Sequence, residues 1–216
     1  MKIVADANIV DVSALYEAHG ELKLLTGREI GPDDVRDADA LLVRSITKVG
    51  ASLLEGSKVR FVATATSGTD HLDLDYLRAA GIAVADAAGS NANAVVEYVL
   101  ASLAQLVLAN ELDLKNRHVA IIGFGHVGRR LYQSLSSLNI PCVLCDPFVA
   151  AQNTKEKFCS LDEALTAPII TLHTPFSKEG PHPTYHMLDA QRLSKLAPGT
   201  VLINAARGEV VDNAAL

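Results

Sequence analysis

A run of three glycines, Gly123-Phe124-Gly125-His126-Val127-Gly128, leaves this chain little choice of fold. It fits G-x-G-x-x-G, and its context gives the match weight. His118–Ile122 (HVAII) reads as a strand running directly into it, and Val127–Leu138 reads as the helix leaving it. Gly123 permits a tight turn, Gly125 lets a pyrophosphate approach bare backbone, and Gly128 lets helix and strand pack closely. Free amides at the helix start, those of His126 and Val127 among them, then face an anion along a favourable dipole. The pattern asks next for an acid at the end of the following strand, about 20 residues on. Asp146 stands 18 residues beyond Gly128, directly after the apolar run Cys142–Cys145. A carboxylate there accepts ribose hydroxyls and repels a 2′-phosphate, which favours NAD over NADP.

The rest of the chain alternates in the same way. Lys2–Asp6, Ala40–Arg44, Phe61–Ala65 and Ile82–Ala85 read as strands. Val12–His19 reads as a helix closed by Gly20 in a left-handed cap, and Leu72–Ala80 as a helix that stops at Gly81. A small-residue loop, Asp86–Asn91, leads into a long helix from about Asn93 to Asn110, read as the crossover between two domains. Beyond the glycine run, Ile169–Leu172 and Val201–Asn204 read as strands, Leu161–Leu165 and Asp189–Lys195 as helices, and Asp212–Leu216 as the start of another helix. Strands separated by helices predict an α/β fold with doubly wound parallel sheets. The division falls near residues 1–92 and 93–216.

Charge and cysteine usage narrow the function classes. With 19 Lys+Arg against 25 Asp+Glu and no basic stripe, the chain is not built for a nucleic-acid partner. Val95–Ala109 is the most apolar stretch, but it is short of the roughly 20 residues a bilayer demands, and it contains Glu97 and Gln105. No membrane association is expected. Three cysteines, Cys142, Cys145 and Cys159, are too few for a disulfide framework, and a reducing cytosol is the simplest compartment. Cys142 and Cys145 make a C-x-x-C, yet within a strand positions i and i+3 face opposite ways, so both are read as core. The histidines, including His182 and His186, lack metal-ligand spacing, and no metal is predicted.

In open α/β sheets ligands sit beyond the carboxyl ends of the strands. Four polar segments fall there: Arg44-Ser45, Thr66-Ser67-Gly68, His173-Thr174-Pro175 and Ala205-Ala206-Arg207-Gly208. Arg207, after an apolar strand and beside a glycine, can fork onto a carboxylate or make an ordinary surface ion pair. Ser45 and Thr66 can be turn hydroxyls or ligand contacts, and position does not choose between them.

Taken together, GFGHVG, the His173–Pro175 HTP loop and NAARGEVVD from Asn204 to Asp212 resemble the D-isomer-specific 2-hydroxyacid dehydrogenases, over essentially all 216 residues. Closer features are VRSITKV (Val43–Val49), ATSGTDHLD (Ala65–Asp73), NANAVVEYV (Asn91–Val99), CDP (Cys145–Pro147) and the long loop His173–Leu188. These are similar to the branch that oxidises 4-phospho-D-erythronate to its 2-oxo acid in pyridoxal-phosphate biosynthesis. The resemblance implies a flavodoxin-like substrate domain, an incomplete Rossmann domain, and NAD as cofactor. It implies substrate contacts from Ser45 and Thr66, and cofactor contacts from Gly123, Gly125, His126, Val127, Gly128, Asp146, Thr174 and the Ala206–Gly208 backbone. Arg207 would be the catalytic arginine, holding the substrate carboxylate and polarising the C2 oxygen. Arg44 and Lys48 are added for the substrate phosphate, on charge and position. The substrate would be a phosphorylated 2-hydroxy acid, and the full-length protein a homodimer.

The resemblance also carries a departure. The family's acid/base histidine, its orienting glutamate and a further strand would lie beyond residue 216, so the chain is expected to be a truncated form, poorly active alone and with Val201–Asn204 left as an apolar edge. VRSITKV also looks like phosphoglycerate dehydrogenases, and an NAD-sensing corepressor-like protein is an alternative of a different class.

Overall fold

A computed structural model of the protein describes residues 1–109, 111–114, 117–152 and 155–216. The chain divides into two compact units, Met1–Ser90 and Asn91–Leu216, each with its own sheet. In the first unit the strands are β1 (Lys2–Asp6), β2 (Glu21–Leu25), β3 (Ala40–Val43), β4 (Phe61–Thr64) and β5 (Ala83–Ala85). Helices α1 (Val12–Tyr16), α2 (Pro32–Val35), α3 (Ala51–Leu54) and α4 (Leu74–Ala79) connect them. All pairings are parallel, in the order β2-β1-β3-β4-β5, which is the flavodoxin-like doubly wound order. Alternate side chains feed opposite faces: Leu41 and Val43 join one apolar cluster, Ala40 and Leu42 the other. Both faces are covered, so β3 is apolar throughout rather than alternating.

The second unit opens with α5 (Ala92–Leu108) and continues through β6 (Val119–Ile122), α6 (His126–Ser137), β7 (Cys142–Cys145), α7 (Pro147–Ala150), α8 (Leu161–Ala164), β8 (Ile169–Leu172), α9 (Ala190–Leu193) and β9 (Val201–Asn204). Its sheet runs β7-β6-β8-β9, again parallel. That matches positions 2-1-4-5 of the Rossmann order 3-2-1-4-5-6. A single bridge, Leu144 to Phe158, occupies the place of the third strand, and β9 is an edge strand among the described residues. Val119 and Ile121 pack towards α5 and α6, while Ala120 and Ile122 join the opposite cluster.

Several expectations need correction. Val12–His19 is an α-turn followed by a 3-10 turn, Glu17–His19. Gly20 is no left-handed cap: it sits at φ +155°, where a Cβ would fall on the Met1 carbonyl oxygen. Asp212–Leu216 is a turn rather than a helix, because the Asp212 carboxylate takes the Ala214 amide and Ala215 N–H returns to the Asp212 carbonyl at 3.1 Å. The long helix belongs wholly to the second unit and ends at Leu108; its expected terminal residue Asn110 lies outside the described residues. Among the described residues, no helix is long and apolar enough to cross a membrane.

Candidate cofactor and substrate sites

In the second unit, the glycine run occupies the turn between β6 and α6, at the carboxyl edge of the sheet. Gly123 has φ +95°, and a Cβ there would meet the His173 carbonyl oxygen at 2.6 Å, so the loops after β6 and β8 close only over glycine. At Gly128 a Cβ would fall on the Gly123 carbonyl oxygen, which enforces the close approach of helix and strand. Around Gly125 nothing lies within 4 Å of a Cβ position, and no side chain caps the N-terminus of the 12-residue helix that follows. The three glycines thus do three different jobs, and the open one is where a phosphate would approach.

Asp146 follows β7 as expected, and the structure gives its carboxylate work the sequence did not disclose. Oδ2 accepts the Phe124 amide of the glycine turn at 2.8 Å. Oδ1 accepts the Phe148 and Val149 amides at 3.1 and 3.0 Å, capping α7. A carboxylate has about four lone-pair positions, so three are engaged before any ribose arrives. The Phe124 ring is 1% exposed, packed edge-on against Tyr132 and Phe158, with the Arg129 guanidinium 4.8 Å from its centroid. Phe124 therefore pins the turn from below while Asp146 holds it from the side. The middle letter of G-x-G carries no sequence signal for this.

A cavity of about 660 Å³ lies over these residues, lined by Gly123, Gly125, Asp146, His173 and Thr174 and roofed by Pro181–Thr184. That is within the range of small-molecule sites. Two polar atoms buried beside it lack a hydrogen-bond partner: Thr174 Oγ1 and His173 Nδ1. Buried polar groups are rarely left so, and a polar ligand would satisfy them. His173 Nε2 lies 2.9 Å from Thr171 Oγ1, and burial pushes its proton affinity down to about 4. The roof loop is held by Thr184, whose hydroxyl donates to the Pro175 carbonyl at 2.7 Å and accepts the Ser177 amide at 2.8 Å. Open glycine, anchored acid, helix start and orphaned polar atoms fit a nucleotide.

Arg207 follows β9 in the same unit and is exposed. Its loop is stapled by Asn204, whose Oδ1 accepts the Ala206 amide at 3.0 Å and whose Nδ2 donates to the Arg207 carbonyl at 2.9 Å. Gly208 opens a 3-10 turn through Val210. Since Leu172 pairs with Asn204, the register places the loop carrying Thr174 beside the loop carrying Arg207. Asn204 enters the sequence reading only as a strand end and the first letter of NAARGEVVD; its amide is what shapes the turn.

In the first unit, Val43 pairs with Thr64, so Arg44-Ser45 and Ala65-Thr66 leave neighbouring strand ends. Arg44-Ser45 also lies at the point between β1 and β3 where the strand order reverses. Arg44, Ser45 and Lys48 are exposed. Thr66 is half-buried and engaged: its hydroxyl lies 2.8 Å from Thr64 Oγ1 and donates to the Gly68 carbonyl at 3.1 Å, and Thr64 Oγ1 lies 3.0 Å from His71 Nε2. Thr47 fixes the base of the Arg44–Lys48 loop by donating to the Gly27 carbonyl at 2.8 Å.

With that geometry in place, the likenesses to known proteins are informative. The family model for the D-isomer specific 2-hydroxyacid dehydrogenase NAD binding domain matches residues 102–216. The chain is 52% identical, over its whole length, to the erythronate-4-phosphate dehydrogenase of Chromohalobacter salexigens, and 50% identical to that of Azotobacter vinelandii. It spans 57% of the length of each. Among solved structures it resembles the D-lactate dehydrogenase of Aquifex aeolicus complexed with NAD and lactic acid (TM-score 0.85, 25% identity, all of this chain, 72% of the other). It also resembles the NAD+-bound 3-phosphoglycerate dehydrogenase of Entamoeba histolytica (TM-score 0.82, 25% identity, all of this chain, 74% of the other).

Proposed function

We propose that this chain, which belongs to the D-isomer-specific 2-hydroxyacid dehydrogenase family, serves NAD-dependent oxidation of 4-phospho-D-erythronate to (R)-3-hydroxy-2-oxo-4-phosphobutanoate, a step towards pyridoxine 5′-phosphate. The observation that carries the substrate is identity of about half over all 216 residues to relatives of that name. In this reading the first unit binds substrate and the second holds the cofactor. Ser45 and Thr66 hydrogen-bond the acid, with Arg44 and Lys48 towards its phosphate. Gly123, Gly125, Gly128 and the amides of His126 and Val127 receive the pyrophosphate, Asp146 the adenosine ribose, and Thr174 with Ala206–Gly208 the remainder of the cofactor.

NAD, when bound, accepts the hydride from C2. Arg207 supplies two parallel donors that orient the carboxylate and polarise the C2 oxygen, a role needing a planar fork rather than a point charge. The hydroxyl proton requires a base, a contribution of about 10²–10⁴-fold. His173 is unfit for it, since its proton affinity is down to about 4 and Thr171 holds Nε2. No described residue is assigned that task, and the 216 residues alone are expected to bind NAD but turn over slowly. The reading extends to a homodimeric full-length protein in a reducing compartment, where three cysteines, too few for a disulfide framework, would stay reduced.

The test is calorimetric and kinetic. NAD should bind the 216-residue protein and NADP more weakly. A full-length protein containing this chain should form NADH with 4-phosphoerythronate faster than with 3-phosphoglycerate. Absence of NAD binding by folded protein, or preference for 3-phosphoglycerate, would overturn the reading.

A further inference from the structure

We propose that Cys145 and Cys159 together form a binding site for a soft, thiophilic cation at the edge of the cofactor cavity, where the cation excludes the nucleotide. Their nearness follows from register. Leu144 and Phe158 are partners in an isolated parallel bridge, and the Cys159 amide donates to the Leu144 carbonyl at 2.8 Å. Side chains alternate along extended backbone, so the next residues on each segment lie side by side on the opposite face. Packing agrees: Leu144 and Phe158 join the cluster under α5 and α6, whereas Cys145 and Cys159 share the cluster on the other side. Both cysteines line the cavity together with Asp146. Cys142 is on the first face, its thiol turned to the Ile140 carbonyl at 3.5 Å.

Two metal–sulfur bonds of about 2.3 Å span sulfurs roughly 3.8–4.6 Å apart, a separation that neighbouring strands about 4.8 Å apart allow. Thiolates prefer soft ions. Burial pushes the Cys145 thiol up to about 12, with Cys159 and Asp146 adding to it, and burial and Glu163 raise Cys159. Both thiols are therefore protonated near neutrality. On binding, each S–H bond breaks and its proton goes to water, two sulfur–metal bonds form, and no electron is transferred. Among the described residues there is no group of three or more His, Cys, Asp or Glu able to hold a metal ion, so water completes the coordination. The other titratable groups around the cavity are Asp146, His173, His182 and Arg192, with Glu163 beside Cys159.

The thiol pair stands on its own, and only the competition rests on the cofactor reading. Cadmium chloride titrated into the reduced 216-residue protein should give thiolate-to-cadmium charge-transfer absorbance at one ion per chain. Cys142→Ser should keep this signal, and Cys159→Ser and Cys145→Ala should each lose it. Retention of binding by folded Cys159→Ser, loss in folded Cys142→Ser, or no cadmium binding to the unsubstituted protein would each overturn the site. Saturating cadmium should weaken NAD binding at least tenfold, and in Cys159→Ser it should not. Unchanged NAD affinity with cadmium bound would overturn the exclusion, whereas cadmium binding by a protein that never binds NAD would sink the cofactor reading and leave the thiol site standing.

Discussion

Replacing Asp146 by asparagine changes one oxygen to an amide, and the structure says what that atom is worth. Asparagine caps helices as well as aspartate does, so its remaining oxygen can keep the Phe148 and Val149 amides now held at 3.1 and 3.0 Å. Its NH2 then faces the Phe124 N–H, donor against donor, where Oδ2 accepts at 2.8 Å. Phe124 is 1% exposed, so water does not readily replace the lost acceptor. An unsatisfied buried donor costs about 1–3 kcal/mol. Flipping the amide merely moves the loss to the cap, at about 0.5–2 kcal/mol. The expected destabilisation of the second unit is therefore about 2 kcal/mol, or a fall of roughly 4–8 °C in melting temperature for a protein of this size. Asp146→Ala, which surrenders both ends, should fall further. The two units need not unfold together, so the local readout is hydrogen exchange at the Phe124 amide, which should accelerate about 30-fold for 2 kcal/mol. NAD affinity should drop in parallel. Folded Asp146→Asn within 0.5 kcal/mol of the parent, with Phe124 exchange unchanged, would refute the claim that this carboxylate braces the glycine turn.

Further substitutions separate cofactor approach from packing and chemistry. Gly125→Ala, placing a methyl where nothing lies within 4 Å, should cost no more than about 1 kcal/mol, for a poorer residue at the helix N-cap, and weaken NAD binding at least tenfold by calorimetry. Gly128→Ala should destabilise by about 1–3 kcal/mol or more, read as a lower urea midpoint, because its methyl would overlap the Gly123 carbonyl oxygen. Arg207→Lys in a full-length protein should lower kcat/KM about 100-fold or more with little change in NAD affinity, since lysine keeps the charge and loses the fork. His173 is held neutral down to about 4 when folded, against 6.5 ordinarily. Below 6.5 the unfolded chain binds a proton that the native one refuses, so stability present above that pH is lost as pH falls towards 4, by about 3 kcal/mol at most. Urea midpoints from pH 7 to 4 should decline less steeply in His173→Asn.

The glycine run, its flanking strand and helix, and the acid at the end of β7 were legible because each is local: turn sterics, helix dipole and strand alternation act within a few residues. β3 and β8 were legible because strands covered on both faces read as continuous apolar runs. β2 escaped for the opposite reason: Glu21–Leu25 is an edge strand, exposed or only half-buried throughout, and looks like a polar connector. The single turns α2, α3 and α7 are too short for helical periodicity, and α7 exists through its Asp146 cap and the proline that follows. What no single segment could announce is closure between segments. By position Thr66 reads as a turn hydroxyl or a ligand contact, and it does donate within its own turn to Gly68, but its place in a chain with Thr64 and His71 depends on a residue five positions further on. Strand alternation keeps Cys145 from Cys142, three residues away on the opposite face, but does not announce Cys159, which arrives 14 residues later across one bridge. Sequence spacing thus locates the backbone that can meet a nucleotide. The atoms left for it are set by contacts across the sheet, as at Asp146, where three amides arrive before the ribose does.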